Sequence, residues 1–341
     1  MSAPLISILV PTYNAAAYLP ELCRSLEAQT FKDFEVLIFD DGSSDNIAEA
    51  FTPFAKDPRF QLTGWKQNRG LNAAWRELLK QMRGTFWASP GADDALFPEF
   101  LKLRLAKLEA NPNAALVHGA VHTIDENGNE IANPFPRFDL PPQIDARRTL
   151  RILLQHNVIN QPSALVRAEV TKKILPQFRY DWQFAPDWHL WLLHAACEKE
   201  FLWDAQPLHH YRIHSQSLSF SPAKSAVRRA ESRLVLLCAL SDAAEFSNLA
   251  ADEWRQWRGL LYHLWLARAM KLRQDGLLKD FWTNAGAIAF HGVNGGGKNF
   301  VFEFMKRAPF IAAAALKERL AIKSQAFRVS GLAQVGDSLF K

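Results

Sequence analysis

Two adjacent carboxylates follow a short apolar segment near the start of the chain. Residues 34–39 are mainly apolar, and Asp40 and Asp41 come directly after them, ahead of a glycine and several turn-forming residues. Apolar runs of this length are typical of strands in parallel sheets, and ligands bind where such strands end. Acidic side chains there suit hydrogen bonds to a base or ribose, or a bound cation, whereas they would repel a bare phosphate. We therefore expect a ligand site at the end of this strand.

The first apolar run of the chain ends in a similar way. Residues 5–10 are followed by Pro11, Tyr13 and Asn14. The carboxyl ends of parallel strands meet at one edge of a sheet, so Tyr13 and Asn14 are expected beside Asp41. The two strand ends together therefore predict a single site.

Three segments of the chain, in order and at matching separations, resemble the opening of a family 2 glycosyltransferase: residues 11–14, 29–35 and 40–45. Members of that family have the GT-A fold and transfer a sugar from a nucleotide donor, with inversion at the anomeric carbon. The resemblance implies that Pro11, Tyr13, Asn14 and Asp41 bind the nucleotide of the donor, which is expected to be a UDP-sugar.

A further acidic pair, Asp93 and Asp94, follows the fourth predicted strand. In the resembling family this place carries an Asp-x-Asp-type motif, whose last acidic residue ligates a divalent metal on the donor diphosphate. Gly91 stands where the motif has its first Asp, and Asp93 keeps the metal-ligand position. The resemblance thus implies Mn²⁺ or Mg²⁺ at Asp93, which would neutralise charge on the leaving diphosphate. The alternative is a solvated pair that caps the following helix.

Two other segments match motifs that lie near the donor in the resembling family. Residues 211–214 are similar to its Tyr-Arg-x-His segment, in which His214 could complete the metal shell and Arg212 could pair with phosphate. Arg69 lies in a segment like the family's Asn-x-Gly motif and is a further candidate for nucleotide binding, as is Asp93. A structural histidine explains His214 equally well.

Asp187 is similar in position to an acidic pair of the family that opens a helix beside the acceptor site, although Pro186 replaces the first acid. Inverting transfer needs a carboxylate that takes the proton of the acceptor hydroxyl as its oxygen attacks. Asp187 is therefore the predicted catalytic base, acting on a saccharide or lipid-linked acceptor. The alternative is that Asp187 is an N-cap residue and nothing more.

Alternating strands and helices must position these side chains. The apolar patterns predict strands at residues 5–10, 34–39, 60–63, 85–88 and 114–118, with helices at 17–29, 46–55, 72–82 and 99–109 between them. Such alternation indicates an α/β fold. With the resemblance, it predicts a GT-A-type, Rossmann-like, mostly parallel sheet flanked by helices over residues 1–221, with a hairpin at Asn127-Gly128. Residues 222–341 are interpreted as a mainly helical C-terminal extension.

The charge is unevenly distributed along a chain of otherwise ordinary composition, with 48% hydrophobic residues in 341. Residues 222–341 contain 18 Lys and Arg against 10 Asp and Glu, whereas the remainder contains 22 against 25. This basic excess suits an anionic membrane surface, although a solvated helical face explains it equally well, and no nucleic-acid partner is expected. Without a signal-peptide pattern or an apolar run of about 18 residues, the sequence predicts a cytoplasmic protein, peripheral on the inner face of the membrane if the extension docks there.

Two other functions remain compatible with the sequence. A sugar- or nucleotide-binding relative without activity would explain the incomplete acidic motif at Gly91. Residues 292–299 have the spacing of a phosphate loop through Lys298, but Asn299 replaces the hydroxyl residue that would hold Mg²⁺. A Gly-rich loop is the favoured interpretation of this segment.

Overall fold

A computed structural model describes residues 3–134, 138, 140–154, 156–178, 185–197, 199–215, 217 and 235. The predicted domain boundary near residue 221, the C-terminal extension apart from residue 235, and the loop around Lys298 lie outside these residues. Among the helices of the described residues, none combines the length and the apolarity that crossing a bilayer requires.

The described residues contain eleven strands and seven α-helices. The strands are β1 (Ile6–Thr12), β2 (Phe34–Asp41), β3 (Phe60–Trp65), β4 (Phe86–Ala88), β5 (Ala95–Leu96), β6 (Ala114–Gly119), β7 (His122–Ile124), β8 (Gln143–Ile144), β9 (Leu165–Arg167), β10 (Glu200–Asp204) and β11 (His209–Arg212). The helices are α1 (Leu19–Glu27), α2 (Ile47–Phe51), α3 (Leu71–Gln81), α4 (Phe100–Ala110), α5 (Ala146–Leu153), α6 (Ala168–Ile174) and α7 (Pro186–Ala196).

Eight of the strands form the central sheet, in the order β3-β2-β1-β4-β9-β6-β10-β8. The half from β3 to β4 is parallel throughout. β9 lies antiparallel between β4 and β6, and β10 then runs parallel to β6. The predicted α/β sheet is therefore confirmed, and its parallel half carries the acidic strand ends. β9 was not among the strands predicted from the apolar patterns.

A small second sheet has the order β5-β11-β7. β11 pairs with β7 in parallel and with β5 in antiparallel orientation. A turn after β7, with Gly128 at φ +88°, folds the chain back so that Ile124 pairs with Glu130. This confirms the predicted hairpin, and the small sheet brings the end of β11 to the turn that contains Asp93.

The parallel half of the central sheet encloses the core that the apolar patterns predict. Three leucines of α1, at helical spacing, are fully buried in this core: Leu19, Leu22 and Leu26. The strand register pairs Thr12 with Asp40 and Asp41 with Trp65. The carboxyl ends of three neighbouring strands, which carry Thr12, Asp41 and Trp65, therefore lie level with one another.

Helix α7 is buried on nearly all sides and so lacks a polar face. Trp191 is fully buried, and its ring stacks on that of Trp87 in β4 with the ring centroids 6.3 Å apart. The indole N–H of Trp87 donates to Oγ1 of Thr171, which also lies 3.0 Å from Nε2 of His194. Burial lowers the pKa of His194 to about 4, so this histidine is neutral. The packing holds α7 against the sheet, with Asp187 in its first turn.

Candidate active site

Asn14 and Asp40 connect the turns that follow β1 and β2. Oδ1 of Asn14 accepts from the backbone N–H of Ser44 at 2.8 Å, and the backbone N–H of Asn14 donates to Oγ of Ser43 at 2.9 Å. Oδ1 of Asp40 accepts from the backbone N–H of Ser43 at 3.0 Å. Asn14 has a φ of 51°, in the left-handed region that asparagine tolerates, and Pro11 is the penultimate residue of β1. Asn14 thus shapes the edge of the sheet. Direct contact of Asn14 or Pro11 with a nucleotide stays a prediction.

Asp41 is fully buried, and the protein uses one of its two carboxylate oxygens. Oδ1 accepts from the backbone N–H of Arg69 at 2.7 Å. Oδ2 is buried and has no hydrogen-bond partner in the part of the chain that the structure describes. Burial is the main cause that raises the pKa of Asp41, while the backbone N–H groups of Arg69 and Gly70 oppose it. Because buried polar atoms are normally paired, Oδ2 is suited to accept an N–H group of a ligand.

The carboxyl ends of β1 and β3 also carry Tyr13, Trp65 and Arg69: Trp65 is the last residue of β3, Arg69 follows it, and Tyr13 follows β1. The guanidinium carbon of Arg69 lies 4.6 Å from the centroid of the Trp65 ring. Trp65 meets Phe39 edge-on, with the ring centroids 4.8 Å apart. Tyr13 has an exposed fraction of 41%, which is high for a large aromatic residue. Nucleobases stack on aromatic rings and guanidinium groups, so these side chains are compatible with the predicted nucleotide binding.

Asp93 and His214 meet beyond the carboxyl end of β4. Nε2 of His214 lies 3.0 Å from Oδ2 of Asp93, although 121 residues separate the two in the chain. The Asp93 side chain is 29% exposed, and the His214 ring packs on Tyr18 with the ring centroids 4.9 Å apart. The two metal ligands that were predicted from separate motifs are therefore adjacent in the structure.

This pair fits a divalent metal that is shared with the donor diphosphate. A carboxylate oxygen and an imidazole nitrogen are both ligands for Mn²⁺, while Mg²⁺ is typically held by one or two carboxylates together with phosphate oxygens and waters. In the described residues there is no group of three or more His, Cys, Asp or Glu side chains arranged to hold a metal ion. The remaining ligands would therefore have to come from the diphosphate and from water.

Asp94 has a structural role, and it explains the glycine at position 91. Asp94 is 1% exposed; its Oδ2 accepts from the backbone N–H of Gly91 at 2.8 Å, and its Oδ1 accepts from the backbone N–H of Arg212 at 3.1 Å. Nε2 of His209 also lies 3.0 Å from Oδ2 of Asp94. A Cβ atom at position 91 would come within 2.5 Å of Oδ1 of Asp93. A side chain at position 91 would therefore require the carboxylates of Asp93 and Asp94 to move, and Asp94 is held in place by its hydrogen bonds.

The guanidinium of Arg212, which the sequence suggested as a partner for phosphate, makes its hydrogen bonds to the protein itself. The Arg212 side chain is 2% exposed. It donates to the carbonyl of Asp93 at 2.8 Å, to the carbonyl of Asp125 at 3.0 Å and to Oε2 of Glu21 at 2.5 Å. Arg212 therefore holds the backbone of the Asp93 turn against α1 and the hairpin.

Asp187 lies in the first turn of α7 but does not cap this helix. The N-cap residue is Ala185, so the interpretation of Asp187 as an N-cap is wrong, because the helix begins at Pro186. Asp187 is partly buried, and its Oδ2 accepts from Nδ2 of Asn157 at 2.9 Å. The capping alternative for Asp93 and its neighbour is also wrong, since the N-cap of α4 is Glu99.

Two residues that contact the candidate site, Asn157 and His209, were not predicted from the sequence. Asn157 lies 30 residues before its partner Asp187, outside any of the motifs. His209 meets Asp94 only because β11 pairs with β5. No local sequence pattern predicts either contact. The only signal for His209 in the sequence is that it lies five residues before His214.

A parallel half-sheet whose carboxyl edge holds a buried carboxylate and an Asp–His pair defines a GT-A-type, nucleotide-binding α/β domain. Residues 7–175 match the family described as glycosyl transferase family 2. The chain belongs to glycosyltransferase family 2, and its reaction class is therefore sugar transfer. This confirms the resemblance that its motifs indicated.

Curated relatives are named as glycosyltransferases or synthases. An uncharacterized glycosyltransferase of Methanocaldococcus jannaschii is 28% identical over 218 residues, which are 62% of this chain and 72% of that protein. Chondroitin synthase of Escherichia coli is 32% identical over 133 residues, which are 39% of this chain but only 19% of the synthase. The chain thus spans a small part of the synthase and most of the archaeal relative.

Solved structures of low sequence identity share the fold. TarS of S. aureus, residues 1–349 in complex with UDP-GlcNAc, has a TM-score of 0.63 and 18% identity, with coverage of 83% of this chain and 80% of that one. The mannosyltransferase PcManGT of Pyrobaculum calidifontis, in complex with GDP-Man and Mn²⁺, has a TM-score of 0.54 and 16% identity, with coverage of 94% and 81%. Both similarities support the GT-A fold.

Proposed function

We propose that this chain is an inverting transferase that moves a sugar from a UDP-sugar to a hydroxyl group of a saccharide or lipid-linked acceptor. The observation that carries the proposal is the meeting of Asp93 and His214, 3.0 Å apart, at the carboxyl edge that also holds Asp41. This edge combines an acceptor for a nucleobase with ligands for a diphosphate-bound cation, which are the two parts of a nucleotide-sugar site.

Asp41 supports uridine as the nucleoside. Oδ1 is already occupied by the backbone N–H of Arg69, so one carboxylate oxygen, Oδ2, is left without a protein donor in the described residues. Uracil offers a single imino donor at N3, whereas guanine offers two neighbouring donors that would favour a carboxylate with both oxygens open. Cytosine and adenine have no imino N–H on this edge. The UDP-GlcNAc bound to the related TarS fold agrees with this assignment.

Asp93 and His214 would hold Mn²⁺ or Mg²⁺ against the diphosphate. The bound ion would neutralise the negative charge that develops on the diphosphate as it leaves. The Arg212 guanidinium donates to the backbone carbonyl of Asp93, and Tyr18 packs on the His214 ring, so both proposed ligands are supported by neighbouring side chains. The Mn²⁺ in the mannosyltransferase structure of similar fold supports a metal-dependent reaction.

Asp187 is proposed as the base of a single displacement. The acceptor oxygen attacks the anomeric carbon and gives its proton to the Asp187 carboxylate, while the bond between that carbon and the diphosphate oxygen breaks and its electron pair leaves with UDP. One displacement on the face opposite the leaving group inverts the anomeric centre. Asp187 stands at the start of a rigid, buried helix, which suits a group whose position determines the rate.

A donor panel tests the proposal. UDP-sugars and GDP-sugars are added to the full chain with and without Mn²⁺, thermal shift identifies the donor, and release of nucleotide is then followed with and without saccharide acceptors. We expect stabilisation by a UDP-sugar that increases with Mn²⁺, and UDP release. Binding without release from any donor would instead identify a non-catalytic relative. Loss of nucleotide binding in Lys298→Ala but not in Asp41→Ala would point to the phosphate loop.

The cellular setting is proposed from the sequence alone. We infer that the transferase domain covers residues 1–221 and that residues 222–341 form a helical extension, which docks on the inner face of the cytoplasmic membrane. An enzyme placed there would serve the assembly of cell-surface polysaccharide or lipopolysaccharide. The net positive charge of the extension supports docking on anionic lipid.

A further inference from the structure

Asn157 contacts the proposed base directly, although it belongs to none of the sequence motifs. Its Nδ2 donates to Oδ2 of Asp187 at 2.9 Å. We propose that Asn157 is a positioning residue, which holds the Asp187 carboxylate in the orientation that receives the acceptor proton. The inference rests on the proposed function, because it takes Asp187 as the base.

The segment that carries Asn157 is anchored on both sides. Before it, the last turn of α5 is tied to α7, because the indole N–H of Trp188 donates to the carbonyl of Leu153 at 2.7 Å. After it, Oγ of Ser163 donates to the carbonyl of Asn160 at 2.8 Å and accepts from the backbone N–H of Gly119 at the end of β6. The chain is therefore tied to neighbouring elements at Leu153 before Asn157 and at Asn160 and Ser163 after it.

The amide of Asn157 can adopt only one orientation against this neighbour. An ionised carboxylate accepts hydrogen bonds and donates none, so the NH₂ group must face Asp187. Oδ1 of Asn157 then points away, and it is buried without a hydrogen-bond partner among the described residues. Asn157 differs from its neighbour Asn160, whose Oδ1 is likewise buried without a partner among the described residues, in that its amide group donates to Asp187.

The effect on chemistry follows from the geometry of proton transfer. A carboxylate held at one oxygen by a fixed donor loses rotation about its terminal torsion, so the direction of its lone pairs is defined. A misplacement of about 1 Å can cost up to about 10²-fold in rate, because the reacting atoms leave the near-attack arrangement. Removing the amide should therefore slow the chemical step without changing how the donor binds.

Turnover and stability are compared for Asn157→Ala, Asn157→Asp and Asn160→Ala in the full chain. Asn160 is the matched control, because it lies in the same segment and also has a buried Oδ1 without a partner in the described residues. We expect Asn157→Ala to lower kcat by about 10- to 100-fold, with the KM for the donor and the Tm close to wild type. Asn157→Asp keeps the size but sets two carboxylates against each other, so its kcat should fall at least as far. Asn160→Ala should retain the wild-type kcat.

A double-mutant cycle with Asp187→Asn separates positioning from an independent structural effect. If Asn157 acts through Asp187, then Asn157→Ala should lower the residual rate of Asp187→Asn by less than about 2-fold, since the group that it orients is already lost. If the fold-losses in kcat of the two single variants instead multiply in the double variant, the inference is overturned. Equal losses of kcat in Asn157→Ala and Asn160→Ala would overturn it as well. Wild-type turnover in Asn157→Ala, with Asp187→Asn inactive, would defeat the inference but leave the base in place. Wild-type turnover in Asp187→Asn would defeat the proposed base itself.

Discussion

At the scale of single residues, Asp41 and Asp94 are both buried carboxylates with opposite assignments. Both oxygens of Asp94 accept backbone N–H groups, from Gly91 and Arg212, so this side chain completes a turn of the protein. Asp41 uses one oxygen for the backbone of Arg69 and has no partner for the other among the described residues. Asp94 and the proposed nucleotide ligand Asp41 thus differ in how many of their carboxylate oxygens the protein satisfies.

Asp41→Asn should weaken UDP binding, and it should remove part of the fall in UDP affinity that wild type shows on acidification. The carboxylate must be ionised to accept the N3–H of uracil, and burial raises the pKa of Asp41. On acidification, wild-type affinity should therefore begin to fall at a higher pH than that at which an ordinary Asp becomes protonated. At neutral pH the variant should lose about 10- to 100-fold in affinity, the value of a hydrogen bond to a charged group. Calorimetric titrations across the acidic range measure both effects, and parallel pH curves for the two proteins would contradict the assignment.

Asp93→Ala and Asp94→Ala should separate metal binding from folding. Asp93→Ala should abolish the increase in UDP affinity that Mn²⁺ causes while the Tm stays near wild type, because Asp93 is partly exposed. Asp94→Ala should lower the Tm, since the buried N–H of Arg212 loses its acceptor at a cost of about 1 to 3 kcal/mol and the partly buried N–H of Gly91 loses its own at a smaller cost. It should weaken the metal effect only in part. Calorimetry with Mn²⁺ or with a chelator decides the matter. UDP binding of equal strength in wild type under both conditions would refute the metal site.

At the scale of secondary structure elements, the small sheet joins parts of the chain that no local pattern connects. β11 lies between β5 and β7, and its last residue, Arg212, reaches the Asp93 turn, the hairpin after β7 and α1. Two residues later, the chain presents His214 to Asp93. The geometry of the proposed metal ligands therefore depends on this sheet and on the buried guanidinium that crosses it.

Arg212→Lys tests that dependence. An ammonium group cannot reproduce the planar array of donors with which Arg212 reaches three carbonyls and Glu21, so at least one acceptor should lose its partner. We expect a loss of about 1 to 3 kcal/mol in the free energy of unfolding, together with a weaker Mn²⁺ effect on UDP binding. Arg59→Lys is the control: Arg59 pairs with Asp57 two residues away, with both side chains about a quarter exposed, and lies over the Phe34 ring. A lysine can keep both contacts, so this substitution should cost about 1 kcal/mol or less. Equal losses in urea denaturation of both variants would argue against a special role for Arg212.

At the scale of the whole molecule, the basic C-terminal third should bind anionic membranes. The excess of 18 basic over 10 acidic residues in positions 222–341 predicts attraction to a negatively charged surface. In liposome sedimentation at low salt, the full chain should bind vesicles that contain anionic lipid in preference to neutral vesicles, and salt should release it. A chain truncated after residue 221 is the control, provided that it remains folded. No preference for anionic lipid would reject membrane docking.

The sequence by itself determined the α/β class and the acidic strand ends, because both are local. Buried strands appear as short apolar runs, and the residues that follow them must lie at one edge of a parallel sheet. The family motifs added predicted roles for Asp93, His214 and Asp187, which spacing alone would not have linked. The structure places Asp93 beside His214, and the roles themselves stay predictions.

Only the tertiary structure decided how the protein uses each polar group. Contacts made by the backbone and by distant side chains decide three features of the site. These are the close surroundings of Gly91, the burial of Arg212 and the unpaired Oδ2 of Asp41. The hydrogen bond from Asn157 to Asp187 spans 30 residues, and that from Arg212 to Asp94 spans 118. Sequence patterns report which face of an element is buried, but hydrogen bonds form between atoms that folding brings within about 3 Å. Which carboxylate serves the fold and which serves the ligand is therefore a property of the folded chain.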